Sequence, residues 1–221
     1  MNGRDLPEDI TEYGHAATHG GVSCNLDMCP RCHGRPVRFR PHGVRNRLFL
    51  VFAAEVIRRV FSYLTRWKCP LCNRTFTVYP DFAFPFKRYA LPFILARCAA
   101  YVADEARTYR EGVQEGGAPM SHEDADGGME LRASTLWRWV DTLGRLPVTV
   151  REALNPIKQK DPSTNLFRAL GQLRIREGKY RSETRKRILL CCRALGIVDR
   201  VYVRLFGKSV FPELAARGGF S

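Results

Sequence analysis

Four cysteines carry the first chemistry that can be read. Cys29-Pro-Arg-Cys32 and Cys69-Pro-Leu-Cys72 are two Cys-Pro-x-Cys units in a chain of 221 residues. A two-residue gap folds each pair into a tight knuckle, so both sulfurs point at one ion. Backbone N–H groups of the knuckle can then hydrogen-bond the sulfurs and offset their charge. His33-Gly34 follows the first pair and Asn73-Arg74 the second; Gly and Asn tolerate the left-handed backbone such a turn requires. One CxxC alone would also fit a redox dithiol, but neither pair has a thioredoxin-like strand and helix around it. Four unrelated buried thiols are the remaining alternative. Two such units together predict one structural Zn2+ held by Cys29, Cys32, Cys69 and Cys72, a closed site with no open position for catalysis. The 36 residues between the pairs exceed the usual spacing and lengthen the hairpin between the knuckles. His33 and His42 could replace a ligand but read as surface or DNA-facing residues, Cys24 as a bystander, and Cys98, Cys191 and Cys192 as core-packing thiols.

The elements that must position these sulfurs are less sharply marked. Residues 47–68 can be read as an amphipathic helix or as two strands. Geometry favours strands, because the chain must leave the metal and return to it. The turn is expected near Ala53-Ala54-Glu55, with Ile57, Arg59, Phe61, Tyr63, Thr65 and Trp67 sharing one face of the second strand. Trp67 and Phe76 are then the ribbon's own small core. The expected class is α+β: a small zinc ribbon followed by a mostly helical region. Expected boundaries are a flexible arm over 1–27, the ribbon over 28–80, a helix-turn-helix-like domain over 81–146 with an acidic insert at 116–130, and a basic, mostly helical region over 147–221. Within these, 81–88 reads as a Pro-broken linker, 89–115 and 133–144 as helices, and 116–130 as a loop. A helix capped by Ser182 is expected to end at Gly196, with a strand over "IVDRVYVRLF".

Charge narrows the partner. Lys and Arg number 36 against 22 Asp and Glu, a net charge of +14. Residues 29–110 hold 16 bases and four acids, and residues 132–221 hold 19 and seven. Such an excess favours an anionic partner, most simply nucleic acid or an anionic membrane surface. The longest apolar run, "LFLVFAA", is far too short to span a bilayer. The N-terminus lacks a signal pattern, so a cytoplasmic protein is expected.

The stretch "LRASTLWRWVDTLG" carries an apolar stripe of Leu136, Trp139, Val140 and Leu143. Arg132, Ser134, Thr135 and Arg138 fall at its start and outer face, where a recognition helix presents groups to phosphates and bases. The alternative is an amphipathic helix with a solvated basic face. Arg66, Lys68 and Arg74 around the second knuckle, with Lys87 and Arg88 beyond it, complete the candidate DNA-contacting set.

The order CPxC, "RWKCPLCNRTFTVYP", "FPFKRY", "TYREGV", "STLWRW" resembles the zinc-ribbon and helix-turn-helix region of bacterial transposase-like and transposase-associated proteins. The resemblance covers residues 29–146. It implies sequence-specific binding of double-stranded DNA, with the metal ligands falling on the four cysteines and the recognition positions on Ser134, Thr135 and Arg138. The insert at 116–130 departs from it, since a helix-turn-helix has a turn of only a few residues there. No catalytic constellation is expected: the acids after residue 146 (Glu152, Asp161, Glu177, Glu183, Asp199, Glu213) are scattered, and no nucleophile or phosphate-binding motif is seen. A second function class is an adaptor docking on a transposase or polymerase subunit, with Trp137 and Phe84 as exposed anchors. A third is a single-stranded nucleic-acid binder that stacks bases on aromatics.

Overall fold

The computed structural model describes residues 6–104, 107–123, 130–174 and 182–211. They belong to an α+β fold, as expected, and divide into two compact units. The first holds described residues 6–53 and 58–91; the second holds residues 54–57 and those described within Pro92–Phe211. The expected boundaries at 80 and 146 differ from this division. Among the described residues no helix is long and apolar enough to cross a membrane.

The first unit is built on a long hairpin. β1 (Arg40–Ala53) and β2 (Val56–Lys68) are nearly equal in length, so the chain returns to where it left. Ala54 and Glu55 make the turn, both in the left-handed region at φ 49° and 65°. That is the backbone of a two-residue primed turn, whose twist matches the strands it joins. β3 (Thr75–Thr77) adds to β2 in antiparallel register, with Trp67 opposite Phe76.

Residues 6–18, expected within a flexible arm, form helix α1 (Leu6–Thr18). Its stripe Leu6, Ile10, Tyr13, Ala17 recurs at three to four residues, the spacing of one helical face. Glu8 and Asp9 suit its positive end. The stripe packs on Phe49, Val51, Val60 and Leu64 of the hairpin, and Ser62 Oγ donates to Ile10 O at 2.7 Å. The stretch expected as a linker, 81–88, is also core. Phe82 meets Tyr13 and Phe49 edge-on at 5.4 and 5.3 Å. Phe84 is 1% exposed, and Arg47 donates to the carbonyls of Phe84 and Lys87. Backbone bonds from Leu50 N to Arg88 O and from Ala90 N to Leu50 O, both 2.9 Å, tie this stretch along β1.

In the second unit, α2 (Leu91–Ala103) is shorter than the 89–115 helix expected. The chain restarts at a capping box: Thr108 Oγ1 accepts from Glu111 N, and Glu111 Oε2 accepts from Thr108 N at 2.6 Å. A 3-10 turn and a small hairpin follow, β4 (Gln114–Glu115) and β5 (Ala118–Pro119), turned by Gly116-Gly117. The expected loop is therefore partly paired: Met120 is buried, and Ile57 N donates to Ser121 O at 2.8 Å. Residues 124–129 of that stretch lie outside the described residues.

Helix α3 (Ala133–Gly144) has the limits expected of it. Two residues lead into α4 (Pro147–Lys160), with Pro147 opening the helix. After the short α5 (Leu166–Gly171), α6 (Glu183–Phe206) forms the spine on which α3, α4 and α5 pack. Ser182 caps it, its Oγ accepting from Arg185 N at 3.4 Å. The helix does not end at Gly196, and "IVDRVYVRLF" continues it rather than forming a strand. Ile188, Leu189, Cys192, Leu195, Val198, Asp199 and Tyr202 form one buried stripe straight across that glycine. The stop is Gly207, left-handed at φ 71°. Buried Asp199 accepts from Ser209 Oγ and Val210 N at 2.7 and 2.9 Å, fixing the chain beyond it.

Two glycines separate packing from propensity. A Cβ on Gly144 would stand 2.3 Å from Ile188 O, whereas one on Gly196 meets nothing within 4 Å. Gly144→Ala is expected to cost about 1–3 kcal/mol through overpacking. Gly196→Ala is expected to gain up to about 1 kcal/mol of helix propensity. Urea denaturation of the two variants checks both signs.

Candidate metal centre

The two knuckles are the same local structure built twice. In the first, Cys29 N donates to Gly34 O and His33 N to Cys29 O, both at 2.9 Å. In the second, Cys69 N donates to Arg74 O at 3.0 Å and Asn73 N to Cys69 O at 2.9 Å. His33 and Asn73 take the left-handed position at φ 57° and 59°. In the first knuckle that residue is the histidine, not the glycine after it. At Gly34 a Cβ would lie 2.7 Å from Cδ1 of Leu71 in the opposite knuckle, the tip of an exposed side chain that can shift aside.

The β1–β2 hairpin returns the chain so that all four sulfurs meet. The ligand atoms of Cys29, Cys32, Cys69 and Cys72 lie within 4.8 Å of one another. The Cys29–Cys72 and Cys32–Cys69 sulfurs are 3.9 Å apart. A tetrahedron with metal–sulfur bonds of about 2.3 Å has edges of about 3.8 Å, so the spacing fits one ion. Cys29 and Cys69 are fully buried and Cys32 is exposed. Beneath them lie Phe39, Trp67 and Phe76, with Phe39 edge-on to Phe76 at 5.0 Å. Trp67 and Phe76 are thus the ribbon's core, as read from the sequence.

Electrostatics favour a cation at the centre. Burial pushes the Cys69 thiol up, but N–H groups of Cys72 and Leu71 and the neighbouring sulfurs outweigh it and bring it down to about 7. At Cys32 the Gly34 N–H lowers the thiol, yet desolvation and the other three sulfurs hold it up at about 11. Four sulfurs this close cannot all be anions without a positive ion between them. Four thiolates in tetrahedral array suit one zinc or one iron ion.

The candidate nucleic-acid residues fall in two sets, one per unit. In the first unit Arg74 and Arg88 are exposed, while Lys68 and Lys87 are half-buried. Arg66 is committed within the sheet, donating to Thr75 Oγ1 at 2.9 Å. In the second unit Arg132, just before α3, and Ser134 and Arg138 on it are exposed, and Thr135 is half-buried. The buried stripe Leu136, Trp139, Val140 and Leu143 turns the other way. Residues 104–132 separate α2 from α3, so no short turn joins the two helices expected to pair, and the short connection in this unit joins α3 to α4. Of the adaptor anchors, Phe84 is buried. Trp137 is 45% exposed, but the Arg185 guanidinium lies over its ring at 5.3 Å. His33 and Cys24 stand beside the knuckles but outside the four-sulfur cluster.

Comparison of the chain with protein-family models, with curated proteins and with solved structures gave no match.

The purified chain is expected to carry one metal ion, measured by elemental analysis. Cys69→Ser is expected to lose it. Release should grow as pH falls, because each thiolate that leaves the ion must be protonated.

Proposed function

We propose that this chain is a DNA-binding protein whose ribbon is folded by one structural zinc ion. The observation that carries the reading is a four-thiol site set in strongly basic surroundings. Between Cys29 and Pro80 the sequence holds 11 bases and one acid, Glu55. A closed four-thiolate site contributes folding energy rather than chemistry, and the bases around it suit phosphates.

The exposed face of α3 supplies the second contact in this reading. Arg138 and Arg132 reach base edges or phosphates, and Ser134 and Thr135 bond phosphate oxygens at the positive end of the helix. The ribbon's Arg74, with Lys68, Lys87 and Arg88, adds sequence-independent affinity. Association with a transposase, as a mobile-element regulator without catalysis of its own, follows from the resemblance and belongs to the proposal.

The test pairs metal identity with an unbiased selection of duplex DNA. Zinc, without the visible absorption of an iron–thiolate site, and an enriched motif are the expected results. Arg138→Ala should weaken the selected duplex by about tenfold or more while zinc stays bound. Equal affinity of that variant and the parent for every duplex would overturn the role of α3.

A further inference from the structure

β2 presents two different faces. Alternate residues point to opposite sides of a strand. Val60, Ser62 and Leu64 belong to the side covered by α1. On the other side three residues of the strand are exposed. These are Arg59, Phe61 and Tyr63, with Phe61 at 62% and Tyr63 at 39% exposure. Neither ring stacks on another ring among the described residues.

We propose that this face of β2 is a stacking platform for unpaired bases of a single-stranded nucleic acid. Two aromatic rings at alternate positions stand about 6.7 Å apart along a strand, each able to take one base. Stacking of this kind tolerates any sequence, because every base has a π-face. The surrounding charge selects a polyanion. Arg59 lies on the same face, and Arg40 and Arg45 are exposed on β1. The one acid between Cys29 and Pro80, Glu55, sits in the hairpin turn. A second copy of this chain is disfavoured as occupant, since it brings the same positive ribbon. A duplex keeps its bases stacked on one another and offers these rings nothing. The proposal rests on the nucleic-acid reading above and adds to it a substrate class and a separate surface.

The experiment uses the full, metal-loaded chain and fluorescence anisotropy with labelled oligo-dT, oligo-U and a random duplex. Phe61→Ala/Tyr63→Ala is compared with Phe61→Tyr/Tyr63→Phe, and metal content reports folding. The parent chain is expected to bind the single strands. The alanine pair should weaken that binding about 30-fold or more, the aromatic swap should keep it, and duplex affinity should change by less than about threefold. The two single-strand arms show whether the sugar matters. Single-strand binding unchanged in the alanine pair overturns the platform, as does an equal loss on the duplex. A parent chain that binds only duplex overturns this inference and leaves the DNA-binding reading standing. A parent chain that binds neither overturns both. Binding to anionic vesicles or to an acidic protein, lost in the alanine pair while single-strand binding is not, assigns the face to that partner instead.

Discussion

Four sulfurs from two distant places in the chain must meet around one point. The first unit follows from that requirement. Cys29 and Cys32 lie in one knuckle, Cys69 and Cys72 in the other, and only a path out and back can join them. The strands β1 and β2 supply it, with 14 and 13 residues on either side of a two-residue turn. β3 then pairs with the end of β2, setting Trp67 against Phe76 beneath the sulfurs. The knuckle hydrogen bonds hold even where no strand does. Local turn geometry, strand register and metal chemistry all demand the same arrangement, and such agreement is what makes a small ribbon fold to one structure.

Charge distribution shapes the functional reading as much as the four-sulfur site does. The bases are spread over both units, and some have work inside the protein. Arg47 ties the 81–88 stretch by its carbonyls, Arg66 bridges β2 to β3, and Arg185 lies over Trp137 while pairing with Asp141 at 3.4 Å. A net charge is therefore a poor count of the cations left for a partner. The exposed bases, among them Arg59, Arg74 and Arg88 in one unit and Arg132 and Arg138 in the other, are a smaller set than the total, and their position is more informative than their number.

Much of the centre was legible in the sequence, because metal ligands are recognised by residue type and spacing alone. The α3 limits and the Ser182 cap were legible for a similar reason: each is a local signal. What escaped depended on burial by distant residues. Helix α1 looks polar, and its stripe of Leu6, Ile10, Tyr13 and Ala17 gains meaning only against the hairpin. "DFAFPFKR" reads as a linker because prolines break its pattern, yet Phe82 and Phe84 are core. The expected helix over 89–115 ran through the Thr108–Glu111 capping box, which marks a fresh start. Gly196 imitated a helix stop, and only the uninterrupted stripe on either side of it argues otherwise. Phe61 and Tyr63 were placed on one face by alternation, but nothing in the sequence distinguishes an exposed aromatic from a buried one.

Helix α6 has a consequence for how the second unit comes apart. Its 24 residues span about 36 Å, and α3, α4 and α5 all pack on it. No one of these helices can keep its apolar face covered once α6 is displaced. The amides along its buried stripe can therefore exchange with solvent only when the helical assembly opens as a whole, while those of the six-residue α5 can exchange through a local event. The slowest-exchanging segment of this unit thus lies in the spine, away from the exposed α3 face proposed to contact DNA.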